Sequence, residues 1–202
     1  MMAPLVDRLA AVATRTPEAT AVVAGRRRTS YAKLYANVQR VGRLLAAQTR
    51  PGDRVMLALG NSIEYVIALY ACWYAGLIVI PVDANAKERE IEQVVLHAKP
   101  MLVISSARKP HVQAVADRAG PDFLDISVLL NYETVLPDVE PRVVDDALII
   151  YTSGTSGSPK GVVLTHGNRL ANTLAIVDYL GLDSADSALV VLPFHYSYGN
   201  SV

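Results

Sequence analysis

Cysteine is almost absent: Cys72 stands alone, inside the apolar run Ala71-Cys72-Trp73. A single thiol excludes an intrachain disulfide and has no partner set for a structural zinc site. It is expected to be a buried core thiol in a reducing, cytoplasmic setting. Net charge is absent too, with 19 Lys plus Arg against 19 Asp plus Glu. That balance leaves no electrostatic footprint for nucleic acid or an acidic membrane surface. The run Arg26-Arg27-Arg28 is too short to alter this and reads as a solvated turn. No signal peptide is recognised, because Asp7, Arg8 and Arg15 break the first apolar residues. Internal repeats and low-complexity tracts are missing as well.

A membrane span is not expected either. Tyr65 to Val82 is uncharged over 18 residues, the lower limit for a span. Gly76 and Pro81 interrupt it, and Asn61 with Glu64 offers an N-terminal helix cap. The stretch reads as a buried helix over about 62–75, then a buried strand over about 77–82.

What is present is a hydrophobic fraction of 51%, enough for a sizeable core. Val55–Leu59, Leu77–Val82, Met101–Ser105 and Ala147–Tyr151 are continuous Val/Ile/Leu-rich runs, as strands buried on both faces should be. Helix-period segments lie between them. Ser30 is placed to cap a helix running to about Gln48, with Leu34, Val38, Val41 and Leu45 on one face. Lys87 to Ala98 and His111 to Ala119 are further helices. The alternation predicts an α/β fold: a mainly parallel sheet with helices on both faces. Asn131 to Asp146 is polar, carries Pro137 and Pro141, and reads as a surface connection.

The chemistry sits in Tyr151-Thr152-Ser153-Gly154-Thr155-Ser156-Gly157-Ser158-Pro159-Lys160-Gly161. Residues 152–159 are all Ser, Thr, Gly or Pro, and a lysine follows. Glycines let successive N–H groups turn into one concavity, which suits an anion. Hydroxyls add donors for phosphate oxygens, and Lys160 supplies a point charge. Val162–Thr165 reads as the next strand and Asn168 onward as a helix. A flexible Ser/Gly linker is the bland alternative, but linkers rarely sit between two tight Val/Ile strands. A Walker-type loop needs G-x-x-x-x-G-K-[ST]. Gly154 and Lys160 have the right separation, but Pro159 and Gly161 occupy two of the four defining positions with the wrong residues.

At these residues the sequence resembles the adenylate-forming superfamily of acyl-CoA synthetases, nonribosomal-peptide adenylation domains and luciferases. Its signature is close to Y-T-S-G-T-T-G-x-P-K-G, departed from only at Ser156, which keeps the hydroxyl. Tyr74-Ala75-Gly76-Leu77-Ile78-Val79-Ile80-Pro81-Val82-Asp83 is similar to the family's K-A-G-x-x-x-V-P-[IL]-D segment. Leu192-Pro193-Phe194-His195-Tyr196-Ser197-Tyr198-Gly199 is similar to its L-P-x-x-H-x-x-G segment. The resemblance covers essentially the whole chain, as the first part of the family's large N-terminal domain (residues 1–202, with the remainder and the lid domain beyond Val202).

The resemblance implies roles. The 152–160 loop, with Thr152, Ser153, Gly154, Thr155, Ser156, Gly157 and Lys160, would close over the β- and γ-phosphates of ATP. Lys160 would sit near the departing pyrophosphate. His195, Tyr196 and Gly199 would border the pocket for a small-molecule carboxylic acid. Many relatives carry histidine where this chain has Tyr196, and His195 comes one residue early; a pocket gate and a merely packed histidine both remain open. Mg2+ would accompany ATP, and coenzyme A or the phosphopantetheine of an acyl carrier protein would accept the acyl group. No metal ligand is assigned within the chain. The family's magnesium-holding acid, ribose-binding aspartate, hinge and C-terminal lysine have no counterpart here. The expectation is therefore an ATP-dependent acid–thiol ligase as the whole protein, with residues 1–202 alone inactive and prone to self-associate through a truncated face. Amino-acid adenylation for peptide synthesis and a non-catalytic phosphate- or partner-binding piece are the alternatives.

Overall fold

The computed structural model describes residues 4–132, 137, 139–152 and 159–196. After a first helix, α1 (Pro4–Arg15), two short strands form an antiparallel hairpin, β1 (Thr20–Ala24) and β2 (Arg27–Ser30). The arginine run lies in this hairpin: Arg26 is in the turn, while Arg27 and Arg28 already belong to β2. All three are exposed, as expected of a solvated segment, but only Arg26 lies in a turn. Ser30 then caps α2 (Tyr31–Ala46), its hydroxyl accepting the Lys33 N–H at 3.3 Å. Leu34, Val38, Val41 and Leu45 are all buried, as their spacing requires.

Six strands make the main sheet, in the order β6-β5-β3-β4-β7-β8. They are β3 (Arg54–Leu57), β4 (Ile78–Pro81), β5 (Leu102–Ser105), β6 (Asp122–Asp125), β7 (Asp146–Thr152) and β8 (Lys160–Thr165). Every neighbouring pair is parallel except β7–β8. Helices α3 (Ile63–Tyr74), α4 (Glu88–Ala98), α5 (Pro110–Ala119), α6 (Ile126–Asn131) and α7 (His166–Leu180) complete the order.

Alternation along the strands divides the core. Val55, Leu57, Val79, Leu102 and Ile104 join one cluster with α1, α2, α3 and α6. Met56, Ile80 and Val103, the residues between them, join the other with α4 and α5. Burial on both faces is why these strands read as unbroken hydrophobic runs. The chain is an α/β protein with a mainly parallel sheet flanked by helices.

Ser62, not Asn61, caps α3: its hydroxyl accepts the Tyr65 N–H at 3.1 Å. An N-cap side chain reaches the amides two or three residues on, and Asn61 stands one residue too early and is engaged elsewhere. The helix ends at Tyr74, and Gly76, at φ 72, turns the chain toward β4. Among the described residues no helix is long and apolar enough to cross a membrane. Cys72 is buried within α3, and burial pushes its thiol up to about 12, so it behaves as a core thiol. The described part of the 131–146 connection runs against this helix end, with Arg142 N–H donating to Tyr74 O at 3.0 Å and Tyr74 Oη to Val139 O at 2.5 Å.

Helix α7 starts two residues before the expected Asn168. Thr165 Oγ1 accepts the Asn168 N–H at 3.0 Å, and Asn168 Oδ1 accepts the Thr165 N–H at 3.1 Å. This reciprocal cap fixes the first turn.

Candidate active site

Because β3 to β7 run parallel, their carboxyl ends share one edge of the sheet. The chain leaves that edge at 58–62, 82–87, 106–109 and after Thr152. Open α/β sheets place ligands along this edge.

Thr152 is the last residue of β7 and Lys160 the first of β8, and the two face each other on one rung of the antiparallel ladder. The segment between them is thus closed at its base by main-chain pairing. Ser153, Gly154, Thr155, Ser156 and Gly157 lie outside the described residues, as does Gly199. Thr152 and Lys160 are both exposed.

One rung further in, Gly161 faces Tyr151. A Cβ on Gly161 would stand 2.7 Å from Ile149 Cγ2 and 3.2 Å from Tyr151 Cζ. The glycine ending the Pro-Lys-Gly triplet is therefore a packing requirement of the ladder beneath the loop. The Tyr151 ring is held from the other side by α4: its hydroxyl lies 2.7 Å from His97 Nδ1, and the rings meet edge to face at 5.7 Å. Partial burial raises the Tyr151 hydroxyl above its ordinary pKa, so it stays protonated.

The second group of residues comes from the far end of the described chain. Asn61, on the loop after β3, grips the segment Leu192-Pro193-Phe194. Its Nδ2 donates to Leu192 O at 2.9 Å and its Oδ1 accepts the Phe194 N–H at 2.8 Å. Tyr65, in the first turn of α3, stacks on Phe194 with centroids 4.8 Å apart and the planes inclined by 21°. The Tyr65 hydroxyl donates to Phe194 O at 3.4 Å. Tyr196 N–H returns to Pro193 O at 3.1 Å, closing a turn that carries His195.

His195 is half-buried, and its ring lies 4.3 Å from that of Tyr196. Burial lowers its pKa, with Asp83 opposing from the loop after β4. The structure thus brings His195 and Tyr196 to the edge where the loops after β3 and β4 emerge, the same edge that bears Thr152 and Lys160. Tyr65 and His97 carry no local sequence signal of a site role, Tyr151 stands only at the head of the 151–161 motif, and Asn61 reads in sequence as part of a helix cap. The signal for Asn61 was its place directly before Ser62, which already fills the cap.

The family model for AMP-binding enzymes matches residues 9–202. The chain belongs to this family. A feruloyl-CoA synthase from an Amycolatopsis species is 34% identical over 187 residues, covering 91% of this chain and 38% of that protein. Among solved structures, ATP-bound MatB from Rhodopseudomonas palustris superposes with a TM-score of 0.86 at 27% identity, covering 100% of this chain and 42% of that one. The o-succinylbenzoate CoA synthetase MenE from Bacillus subtilis, bound to the acyl-adenylate OSB-AMP, also gives 0.86, at 25% identity and with 96% and 51% covered. The AMP-binding chain described here therefore spans between about two fifths and half of the length of these relatives, and its fold is that of their N-terminal region.

Proposed function

We propose that this chain is the front part of the large N-terminal domain of an ATP-dependent acid–thiol ligase. A carboxylate oxygen attacks the α-phosphorus of ATP; that O–P bond forms, the bridge to the β-phosphate breaks, and pyrophosphate leaves. A thiolate then attacks the acyl carbon and displaces AMP, giving a thioester. Coenzyme A is the preferred acceptor, in keeping with the CoA-forming relative. Carrier-protein pantetheine is the variant of the same chemistry.

The observation that carries the reading is the Thr152–Lys160 rung at the carboxyl edge of the sheet. It anchors a Ser/Gly/Thr segment by both ends, where donors can wrap a polyphosphate. Lys160 supplies fixed positive charge to the leaving pyrophosphate, most valuable as charge develops there. Thr152, Ser153, Gly154, Thr155, Ser156 and Gly157 contribute N–H and hydroxyl donors. His195, Tyr196 and Gly199 border the acid pocket, and the depressed pKa of His195 makes it a neutral wall beside a carboxylate.

Magnesium is tested by the donor set. Among the described residues no group of three or more His, Cys, Asp or Glu stands together to hold a metal ion. Magnesium that arrives with ATP is held chiefly by phosphate oxygens and water and needs no such cluster, and no step is assigned to the metal.

The adenine, ribose and acid subsites need residues beyond this chain, so residues 1–202 alone bind phosphate or pyrophosphate without turnover. Val162 and Val163 on β8 are 51% and 50% exposed, and Leu180 on α7 is 56% exposed. Exposed apolar side chains on this edge strand and on α7 favour self-association of the isolated chain. The protein acts in the cytoplasm on a small carboxylic acid. The test is acid-dependent pyrophosphate release by residues 1–202 beside the longer protein. Activity confined to the longer protein supports the reading. Activity in the short chain overturns the account of its missing parts, and ADP as product restores the Walker-type alternative.

A further inference from the structure

We propose that Asn61 is a positioning residue for the acid pocket, holding the Leu192–Tyr196 turn against the mouth of α3 and so setting where His195 stands. This rests on the ligase reading above and adds to it a residue from a distant part of the chain.

The geometry is specific to an amide. Asn61 Nδ2 donates to Leu192 O at 2.9 Å while Asn61 Oδ1 accepts the Phe194 N–H at 2.8 Å. One side chain thus satisfies a carbonyl and an amide two residues apart, as a neighbouring strand would. Residues 189–196 form no strand or helix. The ring of Tyr65 adds a stacked contact to Phe194 at 4.8 Å. Residues 189–192 on the other side are exposed, with Leu189 87% and Val191 76% accessible. Asn61 and Tyr65 thus both hold this stretch at Phe194. His195 follows Phe194 directly, and the Pro193–Tyr196 turn carries it.

Division of labour at the start of α3 follows. Ser62 caps the helix, and its neighbour Asn61 is left free to reach across to residue 192. Loss of the two functions should therefore have different consequences.

Three variants of the intact protein carry the test: Asn61→Ala, Asn61→Asp and Ser62→Ala. Pyrophosphate release is measured against a panel of aryl and short-chain acids and against ATP. Hydrogen exchange is followed on peptides covering residues 192–196. Asn61→Ala is expected to raise KM for the acid about tenfold, for two lost hydrogen bonds, with KM for ATP unmoved. Exchange at the Phe194 amide should quicken with it. Asn61→Asp keeps the acceptor and should restore protection of that amide. Ser62→Ala should lower thermal stability with no change in KM for the acid. An unchanged KM for the acid in Asn61→Ala, an equal rise for ATP, or unaltered exchange at Phe194 overturns the proposal. A wild-type protein that turns over no acid sinks the ligase reading instead, and the exchange measurement then decides by itself whether Asn61 holds the turn.

Discussion

Gly42 of α2 lies flat against the ring of Tyr74 at the end of α3. A Cβ on Gly42 would stand 2.6 Å from Tyr74 Cδ1 and 2.9 Å from Cγ. Both residues are buried, so neither helix can shift without disturbing the core they share. Gly42→Ala should therefore destabilise the chain by about 1–3 kcal/mol through overpacking, even though alanine is the better helix former. Urea denaturation should show a lower midpoint with an unchanged slope. An unchanged or raised midpoint would mean that Tyr74 yields freely.

Beneath the loop the same logic touches function. Gly161→Ala forces Ile149 or Tyr151 aside, since the new methyl would meet Ile149 Cγ2 at 2.7 Å. Lys160 is the adjoining residue on β8. If the proposed ligase function holds, pyrophosphate exchange by the intact protein should fall at least tenfold, with a small loss of melting temperature. Wild-type exchange rates in this variant would show that the ladder tolerates the methyl.

Lys160→Ala removes the charge itself. Pyrophosphate exchange should drop by roughly 100-fold or more while circular dichroism stays that of the wild type, because the residue is exposed and packs against little. Full activity would refute the role given to it.

The pH dependence of stability centres on His166. It is 4% exposed, edge-on to Trp73 at 5.3 Å, and its Nδ1 has no hydrogen-bond partner among the described residues. Burial, aided by Arg169 and opposed by Asp145, holds its pKa at about 4 against an ordinary 6.5. As pH falls through 6.5 the unfolded chain takes up a proton that the folded chain refuses until about 4. Stability from this group is thus complete above 6.5 and is lost as pH falls toward 4, at about 1.4 kcal/mol per unit of displacement. Equilibrium unfolding between pH 7 and 4 should show this slope, and His166→Phe should flatten it. An identical slope in the variant would place the effect elsewhere.

The core and its segmentation were legible in the sequence. Leu34, Val38, Val41 and Leu45 have helical spacing, and the four unbroken hydrophobic runs became β3, β4, β5 and β7. The 151–161 motif is contiguous in sequence, which is why it stands out there; of it, Tyr151, Thr152 and residues 159–161 lie among the described residues. What escaped was short or long-range. Strand β6 is only Asp-Phe-Leu-Asp, with a charge at each end, and pairs through main-chain groups supplied by β5. The β1–β2 hairpin is too short for a clear period. Asn61 meets Phe194, and His97 meets Tyr151, across 133 and 54 residues respectively, and no local pattern announces either pair. The cap was misassigned by one position because Asn and Ser are both good caps and stand side by side.

The sheet order also bears on how the chain is made. Strand β4 lies beside β7, yet roughly 65 residues are synthesised between them. At about 5–20 residues per second, a nascent chain carries β4 for several seconds before β7 emerges. During that interval one edge of β4, whose residues are all destined for burial, has no partner strand. A pause in translation between Pro81 and Asp146 lengthens that window. Synonymous codon changes in this stretch are thus a lever on the yield of soluble protein, without altering a single residue.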